Sequence, residues 1–227
     1  MPSPLSEIDC WVFDLDNTLY PASCRLFDQV DLRIGLYVQR LLNLPPEEAR
    51  ALQKKYFRDH TTTLRGLMIN HGIEPGDFLD FVHEIDVSGV QPDARLAAAL
   101  TDLPGRKVIF TNGTVKHAEN VMNRLGITHH FQGMFDIADA NFIPKPDPGS
   151  YRAMIERFDI VPGRAAMIDD MPRNLQPAAD LGMTTVWIQT HNDWAQALDD
   201  MGFVHHATAD LAGWLGDTVI KKATNQG

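Results

Sequence analysis

Short apolar runs alternate with longer amphipathic stretches over most of the chain. Four of the apolar runs are rich in Val, Ile, Phe and Trp, and we interpret them as buried strands: IDCWVFD (8–14), RKVIFTN (106–112), RAAMIDD (164–170) and TTVWIQT (184–190). Three stretches between the later strands have helical character: KHAENVMNRLG (116–126), SYRAMIERFDI (150–160) and NLQPAADLG (174–182). Strands that alternate with helices of this length indicate right-handed β-α-β units, so the pattern predicts an α/β fold with a parallel sheet.

The pattern changes between the first and second predicted strands, where apolar residues recur at helical spacing and no strand is indicated. In the stretch 26–44 one side of the predicted helix carries the apolar residues Leu26, Val30, Ile34, Val38, Leu41 and Leu42. Prolines followed by glutamates open a second helix at 45–57, and two more helices follow. We therefore predict a helical cap domain (21–88) inserted into an α/β core domain formed by residues 1–20 and 89–227. Because the first strand delivers the chain to the carboxyl edge of the sheet, we expect the cap to lie over that edge.

The composition is that of a globular protein without a general affinity for polyanions. Of the 227 residues 44% are hydrophobic and 22% are charged, and the formal net charge is −10. Nucleic acids and anionic membranes attract clustered Lys and Arg, so neither is an expected partner, whereas a small anionic substrate is compatible with a locally positive site. The two cysteines provide no disulfide framework. We find no secretory signal and no apolar run near the roughly 20 residues that span a bilayer, so a cytoplasmic location is expected.

Polar residues stand at the ends of three predicted strands: Asp14 and Asp16, Thr111 and Asn112, Asp169 and Asp170. Lys145 lies between two prolines in a segment that cannot be helical. The carboxyl ends of parallel strands share one edge of the sheet, and ligands bind at that edge. We therefore expect several carboxylates, one ammonium group and one hydroxyl group to meet there.

This mixture of groups suits phosphoryl transfer with Mg²⁺. Clustered carboxylates repel one another unless a cation or a proton offsets their charge, and Mg²⁺ is usually held by carboxylates, waters and a substrate phosphate. An aspartate can attack phosphorus to form an aspartyl-phosphate, while a second carboxylate acts as the acid and then as the base. Lys145 and Thr111 would hold phosphate oxygens, and Asn112 and Gly113 open a helix whose amide groups would add to the phosphate site.

Each of these residues also has a structural interpretation, as a turn residue, a helix cap or a surface lysine. Four unrelated structural roles would then be needed to explain the polar residues at these four places in the chain. A single functional site explains all four. The nine histidines include two adjacent pairs, at 129–130 and 205–206. Neither pair ends a predicted strand, so we interpret both as parts of solvated loops or edges and not as metal ligands.

The motifs DLDNT (14–18), TNG (111–113), Lys145 and DD (169–170), in this order, resemble the four motifs of the haloacid dehalogenase superfamily. The resemblance covers nearly the whole chain and implies a Rossmann-like core, a mobile four-helix cap and Mg²⁺-dependent phosphatase activity. It implies that Asp14 is the nucleophile and Asp16 the general acid and base. In the dehalogenases of the superfamily the residue two positions after the nucleophile is not aspartate, so Asp16 points to phosphoester chemistry.

The resemblance also implies the ligands of the phosphate and of the metal. Phosphate binding is implied for Thr111, Asn112 and Lys145, and metal binding for Asp14, Asp170 and the backbone carbonyl of Asp16. For Asp169, a water-mediated contact with the metal and support of Lys145 both stay open.

The segments FDLDNTLYP (13–21), DHTTTLRGL (59–67) and IDDMPRNLQPA (168–178) resemble the pyrimidine 5′-nucleotidase branch of the superfamily. This implies a small phosphorylated metabolite, a nucleoside monophosphate, as the substrate. Thr62 and Arg65 would contact its sugar or base, with Tyr20 in the same pocket wall; alternatively, Thr62 or Thr63 caps a helix and Arg65 lies on the surface. A phosphosugar phosphatase or a phosphomutase is the alternative function, and a binding protein without catalysis is a third possibility. The sequence does not choose between a monomer and a dimer.

Overall fold

The computed structural model describes residues 4–190 and 198–220, without the side chains of 218–220. In the described residues one sheet contains six strands: β1 (Cys10–Phe13), β2 (Arg106–Phe110), β3 (Gly133–Phe135), β4 (Ala165–Asp169), β5 (Thr184–Ile188) and β6 (His206–Thr208). All neighbours are parallel, in the order β3-β2-β1-β4-β5-β6. The predicted α/β fold with a parallel sheet is thereby confirmed, and β3 and β6 are strands that the sequence did not predict.

Strand β1 lies at the centre of the sheet, between β2 and β4. Its last residue, Phe13, pairs with Ile109 of β2 and with Ile168 of β4. The chain passes from β1 to one side of the sheet and later crosses to the other side, so β1 stands at a topological switch point. The carboxyl ends of parallel strands leave a crevice at such a point. Asp14 and Asp16 follow β1 directly and therefore lie at this crevice.

Alternate residues of β1 pack on opposite faces of the sheet. Trp11 and Phe13 belong to the apolar cluster on one face, and Cys10 and Val12 to the cluster on the other face. All four are fully buried. Because both faces of the sheet are covered, the strand reads as a continuous apolar run and not as an alternation of apolar and polar residues.

Nine α-helices are found in the described residues: α1 (Leu26–Leu42), α2 (Pro46–His60), α3 (Thr63–His71), α4 (Pro75–Val82), α5 (Ala94–Asp102), α6 (Val115–Leu125), α7 (Pro148–Arg157), α8 (Pro172–Asp180) and α9 (Leu211–Trp214). A further helical segment, Leu215–Ile220, continues α9. Helix α8 begins two residues earlier than the sequence pattern indicates, because Pro172 takes its first position. In the described part of the chain no helix is long and apolar enough to cross a membrane.

Helices α1 to α4, here called the helical block, enclose an apolar cluster of their own. Helix α1 packs on α2 and α4, and α2 packs on α3. Val38 and Leu67 are completely buried inside this cluster. Ile137, which follows β3, joins the cluster and so connects the helical block to the sheet edge. The block corresponds to the predicted cap, whose boundaries at residues 21 and 88 stay a prediction.

Candidate active site

A cavity of about 620 Å³ lies between the carboxyl edge of the sheet and the helical block. From the sheet side it is lined by Asp14, Asp16, Thr111, Asn112, Gly113, Lys145 and Asp170. Asp169 is completely buried next to them and contacts Lys145. The structure therefore brings together all the motif residues that the sequence singled out at the strand ends.

Lys145 is the buried cation of the site. Its ammonium group donates to Asp14 Oδ1 at 2.8 Å, to Asp169 Oδ2 at 2.7 Å and to the Phe110 carbonyl at 2.9 Å. Burial alone would lower the pKa of Lys145, but the two carboxylates outweigh burial and raise it. Asn112 fixes the backbone of this lysine, since its Oδ1 accepts from the Lys145 N–H at 2.8 Å and its Nδ2 donates to the Lys145 carbonyl at 3.3 Å.

Asp14 is buried, and both of its carboxylate oxygens accept hydrogen bonds. Lys145 donates to Oδ1, and the Thr18 hydroxyl donates to Oδ2 at 3.1 Å. Burial raises the pKa of Asp14 to about 7; Lys145 opposes this shift, whereas Asp169 and Asp16 add to it. One lysine therefore does not compensate the negative charge that the fold gathers here.

Asp16 has different surroundings, although it lines the same cavity. Tyr20 donates to its Oδ1 at 2.5 Å, and His117 Nε2 donates to the same oxygen at 2.9 Å. Burial would raise the pKa of Asp16, but the charge and hydrogen bond of His117, with the hydrogen bond of Tyr20, outweigh it and hold the pKa below its usual value. Two neighbouring carboxylates thus differ in their partners, and their pKa values are shifted in opposite directions.

Thr111 and Gly113 form a tight turn after β2. The Gly113 N–H donates to the Thr111 hydroxyl at 2.9 Å. A Cβ atom at Gly113 would lie 3.1 Å from Cδ2 of His117 and 3.3 Å from the Thr111 hydroxyl oxygen. Glycine therefore permits the close approach of His117 to this turn at the carboxyl edge of the sheet.

Three buried carboxylates offer a place for a hard divalent cation. Asp14, Asp169 and Asp170 each contribute an oxygen, and these oxygens lie within 4.8 Å of one another. Asp170 Oδ2 is buried and has no hydrogen-bond partner among the described residues. Burial, followed by the charges of Asp169 and Asp14, raises the pKa of Asp170 well above its usual value. An orphaned buried oxygen beside two more carboxylates fits Mg²⁺, which prefers oxygen ligands.

The two oxygens of Asp169 already have partners in the protein. Oδ2 accepts from Lys145, and Oδ1 accepts from the Met171 N–H at 2.9 Å. Asn174, inside α8, donates to both oxygens, at 3.0 and 3.1 Å. The contact with Lys145 supports one of the two interpretations that the sequence left open for Asp169, and its water-mediated contact with a metal stays a prediction.

The three residues proposed to contact the substrate have different locations. Thr62 lines the cavity, and its hydroxyl also accepts from the Arg65 N–H at 3.1 Å as the N-cap of α3. The lining of the cavity does not include Arg65, which is half-buried, or Tyr20, which is buried with its hydroxyl on Asp16. Substrate contact by these residues stays a prediction.

The sequence did not single out two residues that the structure places at the cavity. His117, in the first turn of α6, binds Asp16. Arg173, in the first turn of α8, donates to the Thr61 carbonyl at 3.2 Å, and its guanidinium carbon lies 4.4 Å from the centre of the Phe57 ring. Both lie in the first turn of a helix that follows one of the sequence motifs, and these first turns face the carboxyl edge of the sheet. That position is the sequence signal that identifies them in retrospect.

Comparison with known proteins gives one family and several relatives. The family model of the haloacid dehalogenase-like hydrolases matches residues 8–182. Phosphate metabolism protein 8 of Saccharomyces cerevisiae is 28% identical over 201 residues, which are 81% of this chain and 62% of that protein. Bifunctional epoxide hydrolase 2 of Rattus norvegicus is 26% identical over 115 residues, which are 49% of this chain and 20% of that protein. The chain thus spans less than two thirds of either relative.

Solved structures share the fold. A HAD phosphatase from Thermococcus onnurineus superposes with a TM-score of 0.60 at 19% identity, covering 91% of this chain and 95% of that one. An L-2-haloacid dehalogenase from Xanthobacter autotrophicus superposes with a TM-score of 0.56 at 15% identity, covering 92% and 97%. The motifs, the fold and the family model agree, and the chain belongs to the haloacid dehalogenase-like hydrolases.

Proposed function

We propose that the protein is a Mg²⁺-dependent phosphatase that hydrolyses small phosphomonoesters through an aspartyl-phosphate on Asp14. The observation that carries the proposal is the pair of unlike carboxylates in one cavity. The Asp14 side chain is 10% exposed and pairs with Lys145, whereas the Asp16 side chain is 18% exposed and accepts from Tyr20 and His117. This difference suits a nucleophile held in place and a neighbour that exchanges protons with the substrate and with water.

The two carboxylates divide the reaction between them. A carboxylate oxygen of Asp14 attacks phosphorus, the bond from phosphorus to the leaving oxygen breaks with its electron pair on that oxygen, and Asp16 gives that oxygen a proton. Water then attacks the phosphorus of the aspartyl-phosphate, Asp16 takes a proton from the water, and the bond to Asp14 breaks. Ester and water become alcohol and inorganic phosphate, and both carboxylates are restored.

We assign the remaining motif residues to phosphate and metal. Lys145, Thr111 and the amide groups of Asn112 and Gly113 would hold phosphate oxygens, a role supported by their position around Asp14. Asp14, Asp170 and the backbone carbonyl of Asp16 would hold Mg²⁺, and Asp169 would support them through Lys145. When bound, Mg²⁺ would offset the charge of the carboxylates and of the phosphate.

Asp16 favours a phosphate ester over a carbon–halogen bond as the bond that is cleaved. An alkoxide leaving group needs a proton, whereas a halide ion leaves without one. The proposal is also in keeping with the names of two similar proteins, phosphate metabolism protein 8 and a HAD phosphatase.

For the substrate we propose a nucleoside monophosphate with a pyrimidine base. The helical block lines the cavity with Thr62, with the aromatic rings of Phe27 and Phe57, and with the basic side chains of Arg50 and Arg58. Aromatic faces suit a flat base, and basic groups suit an anionic substrate on a chain whose net charge is negative.

Phosphate release from a panel of esters, measured with Mg²⁺ and with EDTA, tests both the proposed phosphatase activity and the proposed substrate. The panel contains the five common nucleoside monophosphates, several sugar phosphates and one aryl phosphate. Mg²⁺-dependent release that Asp14→Asn abolishes would support the phosphatase, and a preference for uridine, cytidine or thymidine monophosphate would support the substrate. Release of phosphate from every ester without preference would remove the nucleotide proposal alone. Full activity of Asp14→Asn would overturn the nucleophile.

A further inference from the structure

Both side-chain donors to Asp16 in the described part of the chain reach the same oxygen. Tyr20 and His117 donate to Oδ1, and neither donates to Oδ2. A carboxylate that turns about its terminal bond exchanges its two oxygens, and two donors on one oxygen resist that rotation. The oxygen left for proton exchange with the substrate is therefore Oδ2.

The two donors differ in what they connect. Tyr20 lies four residues after Asp16 on the same segment, so its hydrogen bond is local. His117 comes from the first turn of α6, 101 residues away in sequence, and only 1% of its side chain is exposed. Its bond joins the loop after β1 to an independent element, which makes His117 the contact that fixes Asp16 relative to the sheet.

His117 is itself held from the side of the helical block. The ring of His83, which directly follows α4, stacks on the His117 ring with centroids 4.5 Å apart and an angle of 11° between the planes. His83 Nδ1 lies 3.2 Å from the hydroxyl of Thr114, the N-cap of α6, and that hydroxyl accepts from the His117 N–H. The His83 ring thus covers one face of the His117 ring, and Thr114 holds the His117 backbone.

We propose that His117 is a positioning residue for Asp16, with His83 as the support through which the helical block keeps His117 in place. The inference rests on the proposed phosphatase activity, in which Asp16 protonates the leaving oxygen. His117 touches neither the phosphate nor the leaving group in this assignment; it determines which oxygen of Asp16 meets them.

A positioning role predicts selectivity by leaving group. An alkyl phosphate such as a nucleoside monophosphate leaves as a basic alkoxide and needs the proton, whereas an aryl phosphate with an acidic phenol needs it little. The quantity to compare is kcat/KM, because it covers the steps up to departure of the leaving group. We expect His117→Ala to lower kcat/KM for the alkyl ester by about 10- to 100-fold and for the aryl ester by less than about 3-fold.

His117→Ala also leaves a cavity where the buried ring was, which could itself disturb the site. Two variants with side chains of more similar shape separate this effect from the loss of the hydrogen bond. A glutamine places its amide nitrogen close to the position of Nε2, so His117→Gln should stay within about 3-fold of wild type on both esters. An asparagine places it close to the position of Nδ1, away from Asp16, so His117→Asn should behave like His117→Ala. His83→Ala should show a smaller loss with the same selectivity.

His129→Gln is the matched control, since His129 is exposed, follows the far end of α6 and has its ring centroid 4.0 Å from that of His130, at an angle of 40° between the planes. It should leave both reactions unchanged. Equal losses on the two esters, or full activity of His117→Ala, would overturn the positioning role while the phosphatase stands. A wild type without activity on any ester would instead remove the proposed function. A crystal structure of His117→Ala tests the positioning role without any measurement of activity. A rotated Asp16 carboxylate would support the role, and an unmoved carboxylate would contradict it.

Discussion

At the scale of single residues, the site depends on how buried charges are compensated. Lys145 is 1% exposed and donates to two carboxylates. Removal of one partner from a buried ion pair leaves the other charge without compensation, which costs more than the pair itself contributes. Lys145 is thus a structural necessity of this carboxylate cluster as well as a candidate phosphate ligand.

We expect Lys145→Met to lower the free energy of unfolding by about 3–5 kcal/mol, because Asp14 and Asp169 would stay buried without their cation. Urea denaturation in EDTA measures this. Adding Asp169→Asn to the variant should restore part of the loss, since one uncompensated carboxylate disappears.

Lys107→Met is the matched control for this prediction. Lys107 is also buried, but its ammonium group donates to the carbonyl oxygens of Leu103 and Gly105, at 2.6 and 3.2 Å. No carboxylate loses its partner there, so the expected loss is smaller by about 2 kcal/mol. Equal losses for the two lysines would show that compensation of Asp14 and Asp169 is not what Lys145 provides.

The motif residues could be predicted from sequence because each has a local signal. Asp14 and Asp169 end apolar runs, and Lys145 stands between prolines. His117 has only a weaker signal, its place in the first turn of the helix that follows TNG (111–113), and it meets Asp16 because α6 begins opposite the loop after β1. Tyr20 was placed in the pocket wall by resemblance, whereas the structure shows its hydroxyl on Asp16.

At the scale of elements, the length of each strand determines how well the sequence predicts it. β1 is an uninterrupted apolar run and β4 is apolar up to Asp169, so the sequence predicts both; α6 ends at Leu125, before Gly126 with φ +74°. β3 and β6 have three residues each, too few to show a period. Contacts between elements are even harder to predict from the sequence. Arg173 makes one such contact, and its effect on the turn between α2 and α3 can be tested.

Arg173 of α8 joins the sheet side of the cavity to the helical block. Its partners are the Phe57 ring and the carbonyl of Thr61, a residue with φ +69° at the turn between α2 and α3. We expect Arg173→Ala to accelerate amide hydrogen exchange across residues 57–64 by about 5- to 30-fold, which corresponds to about 1–2 kcal/mol for the lost cation–π and hydrogen-bond contacts. Exchange followed by mass spectrometry measures this segment directly.

Arg33→Ala is the control, because Arg33 makes the same kinds of contact within the helical block. Its guanidinium carbon lies 4.3 Å from the centre of the Phe81 ring, and its Nε donates to the Phe81 carbonyl. The exchange of residues 57–64 should therefore not change in Arg33→Ala. Unchanged exchange in Arg173→Ala would mean that Arg173 does not hold the α2–α3 turn.

At the scale of the whole molecule, the fold concentrates negative charge at one buried edge of an already acidic chain. The net charge is −10, and Asp14, Asp169 and Asp170 converge within 4.8 Å. Repulsion among these groups opposes folding unless a cation offsets it, so a metal ion that binds this cluster would couple its binding to the stability of the chain. Membership of the family does not predict how strongly metal binding would stabilise this chain. Asp170 allows a test, because its buried Oδ2 has no hydrogen-bond partner among the described residues.

We expect Mg²⁺ to raise the melting temperature of the wild type relative to EDTA. At 100 times its dissociation constant, a ligand that binds only the folded state adds about 2.7 kcal/mol, or roughly 5–10 °C for a chain of this size. Asp170→Asn should lose most of this shift, yet melt at or above the wild type in EDTA, because it removes a buried carboxyl group whose Oδ2 has no hydrogen-bond partner among the described residues. Asp200→Asn, at an exposed position where the carboxylate accepts from the Gly202 N–H, removes the same charge and should keep the full shift. An Asp170→Asn protein that Mg²⁺ still stabilises as it does the wild type would show that the cation binds elsewhere, and the carboxylate cluster would then need another explanation.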